Sequence, residues 1–301
     1  MGIKIMDRQN RQRVISVIAI SIISFVGFEA LVYVNNLYQP IIYIKLAGFI
    51  YLILLIWLSF LFDVHFKLPT QGSNGFLEAL GRRFHYMISW MHFRHFVNYL
   101  ILPGIIYWGT VILVGINFGH EKLQQFIVVV SALALVASYS MFKEIFHVKK
   151  TPIENRHFLV LSYVKLYAAW LVYSAALGIV WFYCFPANIF YFVVYFVTFV
   201  LLYQALFQFN KLNFRNILRI AFISFVVTLA SYFVYIYWNV NYFTAGLFLL
   251  AIYNFLWQLL FHILNKSLSR EVFFQNFAIF FLIMVMVFGA TNFNAKIDRC
   301  F

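Results

Sequence analysis

Nine long apolar segments dominate this chain and restrict its possible folds more than any other feature. Each has about the 20 residues that an α-helix needs to cross a bilayer, and none shows the in–out alternation of a membrane β-strand. We therefore expect an all-α polytopic membrane helix bundle, with residues 1–301 forming a single transmembrane domain. The predicted spans are 14–34, 41–62, 97–117, 125–146, 158–183, 188–209, 216–238, 243–264 and 272–293.

The composition agrees with residence in a membrane. Apolar residues make up 64% of the chain and charged residues 10%, whereas soluble domains are about half apolar and a quarter charged. The sequence contains no phosphate-binding loop, dinucleotide fingerprint, catalytic serine elbow or zincin motif. No cofactor is predicted, and the sequence does not decide whether the protein is an enzyme.

The basic residues predict how the chain is threaded. Of the 22 Lys and Arg residues, seventeen fall at one set of span ends, three at the other, and Lys45 and Lys165 lie inside spans. Basic residues in short loops mark the cytoplasmic side, so topology explains the net charge of +13 and no nucleic-acid partner is predicted. We expect an integral protein of a bacterial inner (plasma) membrane, with the N-terminus in the cytoplasm and the C-terminus outside.

Two cysteines, Cys184 and Cys300, both fall on the outer side of this predicted topology. They are too few for a disulfide scaffold or a cysteine-based metal cluster. An oxidising compartment would permit a disulfide between them. The sequence alone does not decide whether they pair.

The longest stretch between spans contains a predicted amphipathic helix at about 75–95. One face is apolar, and the other bears basic and histidine side chains that suit the headgroup level of the cytoplasmic leaflet. Its predicted partners are membrane lipids with anionic headgroups. The predicted lipid-interface residues are Arg82, Arg83, His85, His92 and Arg94.

Histidines of the same stretch raise the alternative of a metal site. His92 and His95 are three residues apart and His85 lies two turns earlier, so two or three imidazoles could converge on one ion. The chain nevertheless has no adjacent histidine pair and no two histidines four residues apart. We therefore predict no metal site and favour the interfacial helix.

Two ionisable residues inside predicted spans suggest a buried ion pair. Glu29 and Lys45 each lie about five residues from the outer end of their span, on either side of a short connection. Charges within a bilayer are costly and are usually paired or functional. We expect the pair to fix the first helical hairpin, with proton or ion coupling as the alternative role.

A second polar group predicts a pocket that opens to the cytoplasm. The eighth span has amides and a histidine on one face, and the fifth and sixth spans place a lysine and two glutamines at comparable depth. Such groups suit an anionic headgroup or phosphate, although amides between membrane helices also form purely structural hydrogen bonds. The predicted substrate-binding residues are Lys165, Gln204, Gln208, Asn254, Gln258 and His262.

The sequence thus predicts a protein that binds or moves a small or lipid-linked anionic substrate through this pocket. Two alternatives stay open. One is a membrane-embedded transferase that acts on a lipid carrier, with His262 or the helix at 82–95 as acid or base. The other is a structural or assembly subunit of a membrane complex, and either a homo-oligomer or a hetero-oligomer is compatible with the sequence.

Overall fold

Long apolar helices make up almost all of the chain that the computed structural model describes, namely residues 2–37, 39–66, 90–147, 155–238 and 240–291. In these ranges there are nine helices and no strand, and each helix is long and apolar enough to cross a membrane. The helices are α1 (Gly2–Asn36), α2 (Pro40–Phe66), α3 (Trp90–Ile116), α4 (Glu121–His147), α5 (Asn155–Tyr183), α6 (Ala187–Gln208), α7 (Phe214–Tyr237), α8 (Tyr242–Leu264) and α9 (Arg270–Ala290).

The prediction of an all-α, multi-pass membrane bundle is confirmed. Each predicted span falls on one helix, and two helices begin well before the predicted span: α1 at Gly2 and α3 at Trp90. The last residues of the predicted interfacial helix, including His92 and Arg94, are therefore continuous with the third span, but their side chains lie outside the described part. Arg82, Arg83 and His85 lie outside the described residues altogether.

The chain divides into two compact units. Unit 1 comprises residues 1–107 and 117–164, and unit 2 comprises residues 108–116 and 165–301. In unit 1, α1 packs against α2 and α4; in unit 2, α7 packs against α6 and α8, and α9 packs against α8. The boundaries fall inside α3 and α5 rather than in loops, and the single transmembrane domain stays a prediction.

An aromatic cluster joins the first three helices in unit 1. Tyr107 stacks on Phe28 and Tyr51, with ring centroids 5.6 and 5.2 Å apart. Its hydroxyl donates a hydrogen bond to Ala47 O at 2.6 Å. Because the hydroxyl is satisfied by a backbone carbonyl, the ring can be buried without leaving a polar atom in an apolar interior.

The predicted buried ion pair of Glu29 and Lys45 is not formed. Both side chains are exposed on the protein surface, and Glu29 Oε2 accepts a hydrogen bond from Gln125 Nε2 of α4 at 2.9 Å. The physical reason is rotation about the helix axes. Gly27 packs against Ile50 where α1 meets α2, and Glu29, two residues on, is turned about 200° from that contact. Lys45, five residues before Ile50, is turned about 140° away, so similar depth does not bring the charges together.

The connections α6–α7 and α8–α9 close their helices in the same way. After α6 and after α8, one residue has a left-handed backbone conformation. The N–H of the residue that follows it donates a hydrogen bond to the carbonyl five residues before that donor, which is the Schellman motif. These turns fix the ends of the helices that contain the candidate site. The left-handed residues are Asn210 (φ 55°) and Lys266 (φ 54°). The 3.0 Å bonds run from Lys211 N to Leu206 O and from Ser267 N to His262 O.

Cys184, in the connection between α5 and α6, is disulfide-bonded. Cys300, the one other cysteine in the sequence, lies outside the described residues. The side of the membrane on which Cys184 lies stays a prediction.

Candidate functional site

Lys165 of α5 is the centre of the candidate site. It lies six residues into the apolar span Leu159–Tyr183, about 9 Å from that end at 1.5 Å per residue. Its side chain is only 6% exposed, and its Nζ donates a hydrogen bond to Gln208 Oε1 at 2.6 Å. Among the described residues no carboxylate contacts this ammonium group. The structure therefore buries a lysine side chain beside a neutral amide.

Helix α6 supplies the amides of the site. Gln208 is the last residue of the helix, and Gln204 lies one turn deeper on the same face and is fully buried. The oxygen of Gln208 accepts from Lys165, while its Nε2 is buried and has no hydrogen-bond partner among the described residues. This amide thus presents donors that the described part of the protein does not satisfy.

Small residues let α5 approach α8 closely. Gly246 of α8 lies directly against Ser174 of α5, so a Cβ at Gly246 would overlap the Ser174 hydroxyl, and Gly178 lies against Tyr242. These two contacts show that the helices run antiparallel. Lys165, nine residues before Ser174, is therefore level with the part of α8 about nine residues after Gly246, which includes Asn254.

A buried hydrogen bond holds α5 against α6. The hydroxyls of Tyr173 and Thr198 are 2.6 Å apart and both side chains are fully buried. Thr198 also donates to Val194 O within its own helix, which makes its oxygen the acceptor for the Tyr173 proton. Helices α5, α6 and α8 are thus neighbours, as the predicted pocket requires.

The predicted binding residues of α8 do not join the Lys165 cluster through hydrogen bonds. Asn254 Oδ1 is buried without a hydrogen-bond partner among the described residues. His262 Nδ1 lies 2.9 Å from Ser267 Oγ in the following connection. Gln258 is half-buried. The structure therefore places Lys165 and Gln208 together, with Gln204 one turn deeper, and leaves the stripe on α8 separate in its hydrogen bonding.

Sequence reasoning missed a groove between α7 and α8. Its volume is about 490 Å³, and its walls are apolar except for Arg215 and Arg219 of α7. The prediction of membrane topology counted these arginines as basic residues at a span end and assigned them no other role. The two arginines are four residues apart, and Leu218 and Phe222 continue the same spacing. The sequence therefore already predicts that one face of α7 has both basic and apolar side chains. The apolar wall from α8 could be matched to that face only in three dimensions.

One of the groove arginines is held in place by a chain of hydrogen bonds. Arg219 Nη1 donates to Asn216 Oδ1 at 3.0 Å, and Asn216 Nδ2 donates to Lys211 O at 2.8 Å. Arg215 is exposed at the start of α7. The first turn of this helix contains no acidic residue, so the end of the groove is positively charged.

No three His, Cys, Asp or Glu side chains gather into a potential metal site within the described ranges. The side chains of His85, His92 and His95, which raised the metal alternative, fall outside those ranges.

Comparison with protein-family models, with curated proteins and with solved structures finds no match for this chain. Functional proposals for it therefore depend on the geometry described above.

Proposed function

We propose that this multi-pass membrane protein binds a small or lipid-linked anionic substrate at Lys165. The supporting observation is a buried lysine inside an apolar span, hydrogen-bonded to the Gln208 amide and without a carboxylate partner among the described residues. A charged side chain inside a membrane span is costly and is usually paired or functional. An anionic ligand would offset much of that cost.

The donors at this site suit an oxyanion. An ammonium group has three N–H donors, of which Gln208 Oε1 accepts one. The buried Nε2 of Gln208 adds two more donors next to it. Charge-assisted hydrogen bonds to a carboxylate or phosphate are worth roughly 1.5–3 kcal/mol each, more than a neutral bond between membrane helices, so an anionic group is the ligand class that these donors favour.

The proposed orientation gives this ligand access from the cytoplasm. Lys165 lies near the span end that follows the α4–α5 connection, and Gln208 lies at the helix end that precedes the α6–α7 connection; the sequences of these connections contain Lys149, Lys150 and Lys211. The positive-inside rule assigns such basic connections to the cytoplasmic face. The proposed location is a bacterial inner membrane with a cytoplasmic N-terminus, and reporter fusions near residues 150, 212 and 268 should all report the cytoplasm.

Mass spectrometry of the purified protein tests the ligand proposal. Wild-type protein should retain an anionic molecule that the variant Lys165→Gln loses by 10-fold or more, as expected from about 1.5 kcal/mol per lost charged contact. Lys45→Gln removes an exposed lysine from another span and is the matched control, which should retain the ligand.

Two results would overturn the proposal. One is an anionic ligand bound equally by wild type and Lys165→Gln while both remain folded by thermal unfolding. The other is a wild-type protein that neither retains nor binds any added anionic lipid or carboxylate, and the assembly-subunit alternative would then lead.

A further inference from the structure

We propose that the groove between α7 and α8 is a binding site for an anionic phospholipid of the surrounding leaflet. The phosphate would lie between Arg215 and Arg219, and one acyl chain would follow the apolar walls. This site is separate from the substrate site at Lys165, since neither Lys165 nor Gln208 lines the groove. The proposal holds whether or not Lys165 binds a substrate.

The groove has the size of a ligand site. Its volume of about 490 Å³ lies within the roughly 300–1,000 Å³ of small-molecule pockets in proteins. It forms where two antiparallel spans meet, with Leu218 and Phe222 on one wall and Leu256 and Leu259 on the other. Apolar walls of this extent suit a hydrocarbon chain and offer nothing to a small, fully hydrated anion.

Polarity along the groove matches the polarity of a phospholipid. Arg215 and Arg219 are the second and sixth residues of α7, whereas Phe222 lies about 10 Å deeper than Arg215 at 1.5 Å per residue. On α8, Ile263 lies at the helix end and Leu256 two turns inside it. The charged part of the groove therefore lies at the membrane edge, and the apolar part extends towards the hydrocarbon core. A phospholipid has the same order, with its headgroup at the edge and its acyl chains in the core.

The charge of the groove selects an anionic headgroup. Two arginines four residues apart on one helix face have Cβ atoms within about 6 Å of each other. Neither arginine contacts a carboxylate among the described residues. Arg219 uses one of its N–H groups on Asn216, which leaves most of its five donors for phosphate oxygens. A headgroup with its own cation, such as choline, would meet repulsion there. Basic pockets between membrane helices bind anionic lipid headgroups in this manner.

Native mass spectrometry of the full-length protein in mild detergent tests the proposal. Phosphatidylglycerol and phosphatidylcholine with identical acyl chains are titrated separately. Wild type should bind at least one phosphatidylglycerol more tightly than phosphatidylcholine. The variant Arg215→Gln/Arg219→Gln should bind phosphatidylglycerol about 30-fold more weakly, as expected for two basic residues at a membrane surface.

A charge-matched control separates a built site from general attraction. Lys266→Gln/Arg270→Gln also removes two positive charges, from exposed residues near the same membrane face that do not line the groove. It should bind phosphatidylglycerol within about twofold of wild type. An equal loss in this control and in the arginine variant would reduce the effect to surface charge and overturn the proposal.

Two further variants test the chain and the independence of the two sites. Leu259→Trp fills the apolar part of the groove and leaves both arginines in place. It should weaken the binding of both phosphatidylglycerol and phosphatidylcholine. Lys165→Gln should leave phosphatidylglycerol binding in the groove unchanged, so that failure of the substrate proposal and failure of the lipid proposal give different patterns. Wild-type affinity in the arginine variant, or no preference for phosphatidylglycerol in wild type, would overturn the lipid site.

Discussion

Helices α5 and α9 show opposite relations between hydropathy and burial. The span of α5 has a mean hydropathy of 1.5, and 61% of its residues are buried inside the protein. The span of α9 has a mean hydropathy of 2.2, and only 6% of its residues are buried. In a soluble protein the more apolar helix would be the more buried one. In a bilayer the solvent is itself apolar, so hydropathy does not draw a helix into the bundle.

Side-chain size distinguishes the two helices. Helix α5 buries small residues such as Ala168, Ala169 and Ser174, which permit close approach of neighbouring helices. Helix α9 presents large side chains such as Phe274, Phe281 and Leu282 on its exposed surface. Close packing, rather than removal of apolar area from water, is therefore the expected source of stability for α5.

The largest test of this comparison is the contact between α5 and α8. Gly246→Leu should lower the free energy of unfolding by about 3 kcal/mol or more, because its side chain would displace the Ser174 hydroxyl and press on the Ser174 backbone. Gly289→Leu on α9 is the control, since nothing lies within 4 Å of a Cβ there, and it should be at least as stable as wild type. Reversible unfolding in mixed micelles measures both; equal losses would contradict the comparison.

A matched pair of truncations gives the next largest effect. Leu177 on α5 is fully buried and Leu282 on α9 is 56% exposed. Leu177→Ala should cost about 2 kcal/mol of unfolding free energy through the cavity that it leaves, whereas Leu282→Ala should cost less than about 0.5 kcal/mol because lipid fills the space. Similar costs for the two variants would show that α9 is buried against a partner in the membrane.

The buried lysine of α5 gives a smaller effect of opposite sign. Lys165→Met/Gln208→Leu replaces a buried charge and its amide partner with apolar side chains, and should raise the free energy of unfolding by about 1 kcal/mol. Lys165→Met alone should be less stable than the double variant, because it leaves the Gln208 amide without its partner. A double variant less stable than wild type would assign Lys165 a structural role and weaken the case for a binding site.

The smallest effect concerns the exposed side chain of Glu29 on α1. In double-mutant cycles, Glu29→Ala and Gln125→Ala should show a coupling of about 0.6 kcal/mol, the average for hydrogen bonds between membrane helices. Glu29→Ala and Lys45→Ala should be additive within about 0.5 kcal/mol. Strong coupling of Glu29 to Lys45 would contradict the observed packing of α1 on α4.

Depth along the membrane normal could be predicted from the sequence. Each helical residue advances 1.5 Å, so counting from span ends placed Lys165 and Gln208 in the halves of their spans that face the same side of the membrane, and the structure joins them with a hydrogen bond. The nine spans were identified for the same reason, because length and hydropathy are properties of one segment at a time. The ligand at Lys165 stays a proposal.

Rotation about each helix axis could not be predicted. Glu29 and Lys45 had suitable depths, but their helices meet through Gly27 and Ile50, on faces turned away from both charges. The groove at Arg215 was missed for a related reason, since four of its nine lining residues come from another helix. A single sequence reports which residues share a face, and the neighbour of that face depends on packing between helices.

The hydrogen bond between Glu29 and Gln125 joins residues that are 96 positions apart in the chain. Ribosomes add about 5–20 residues per second, so roughly 5–20 s separate the synthesis of the carboxylate from the synthesis of its amide partner. Helix α1 enters the bilayer first, yet it cannot acquire its contact with α4 until three further spans exist. For that interval the cell must keep a membrane helix with a carboxylate side chain inserted before its final neighbour has been made.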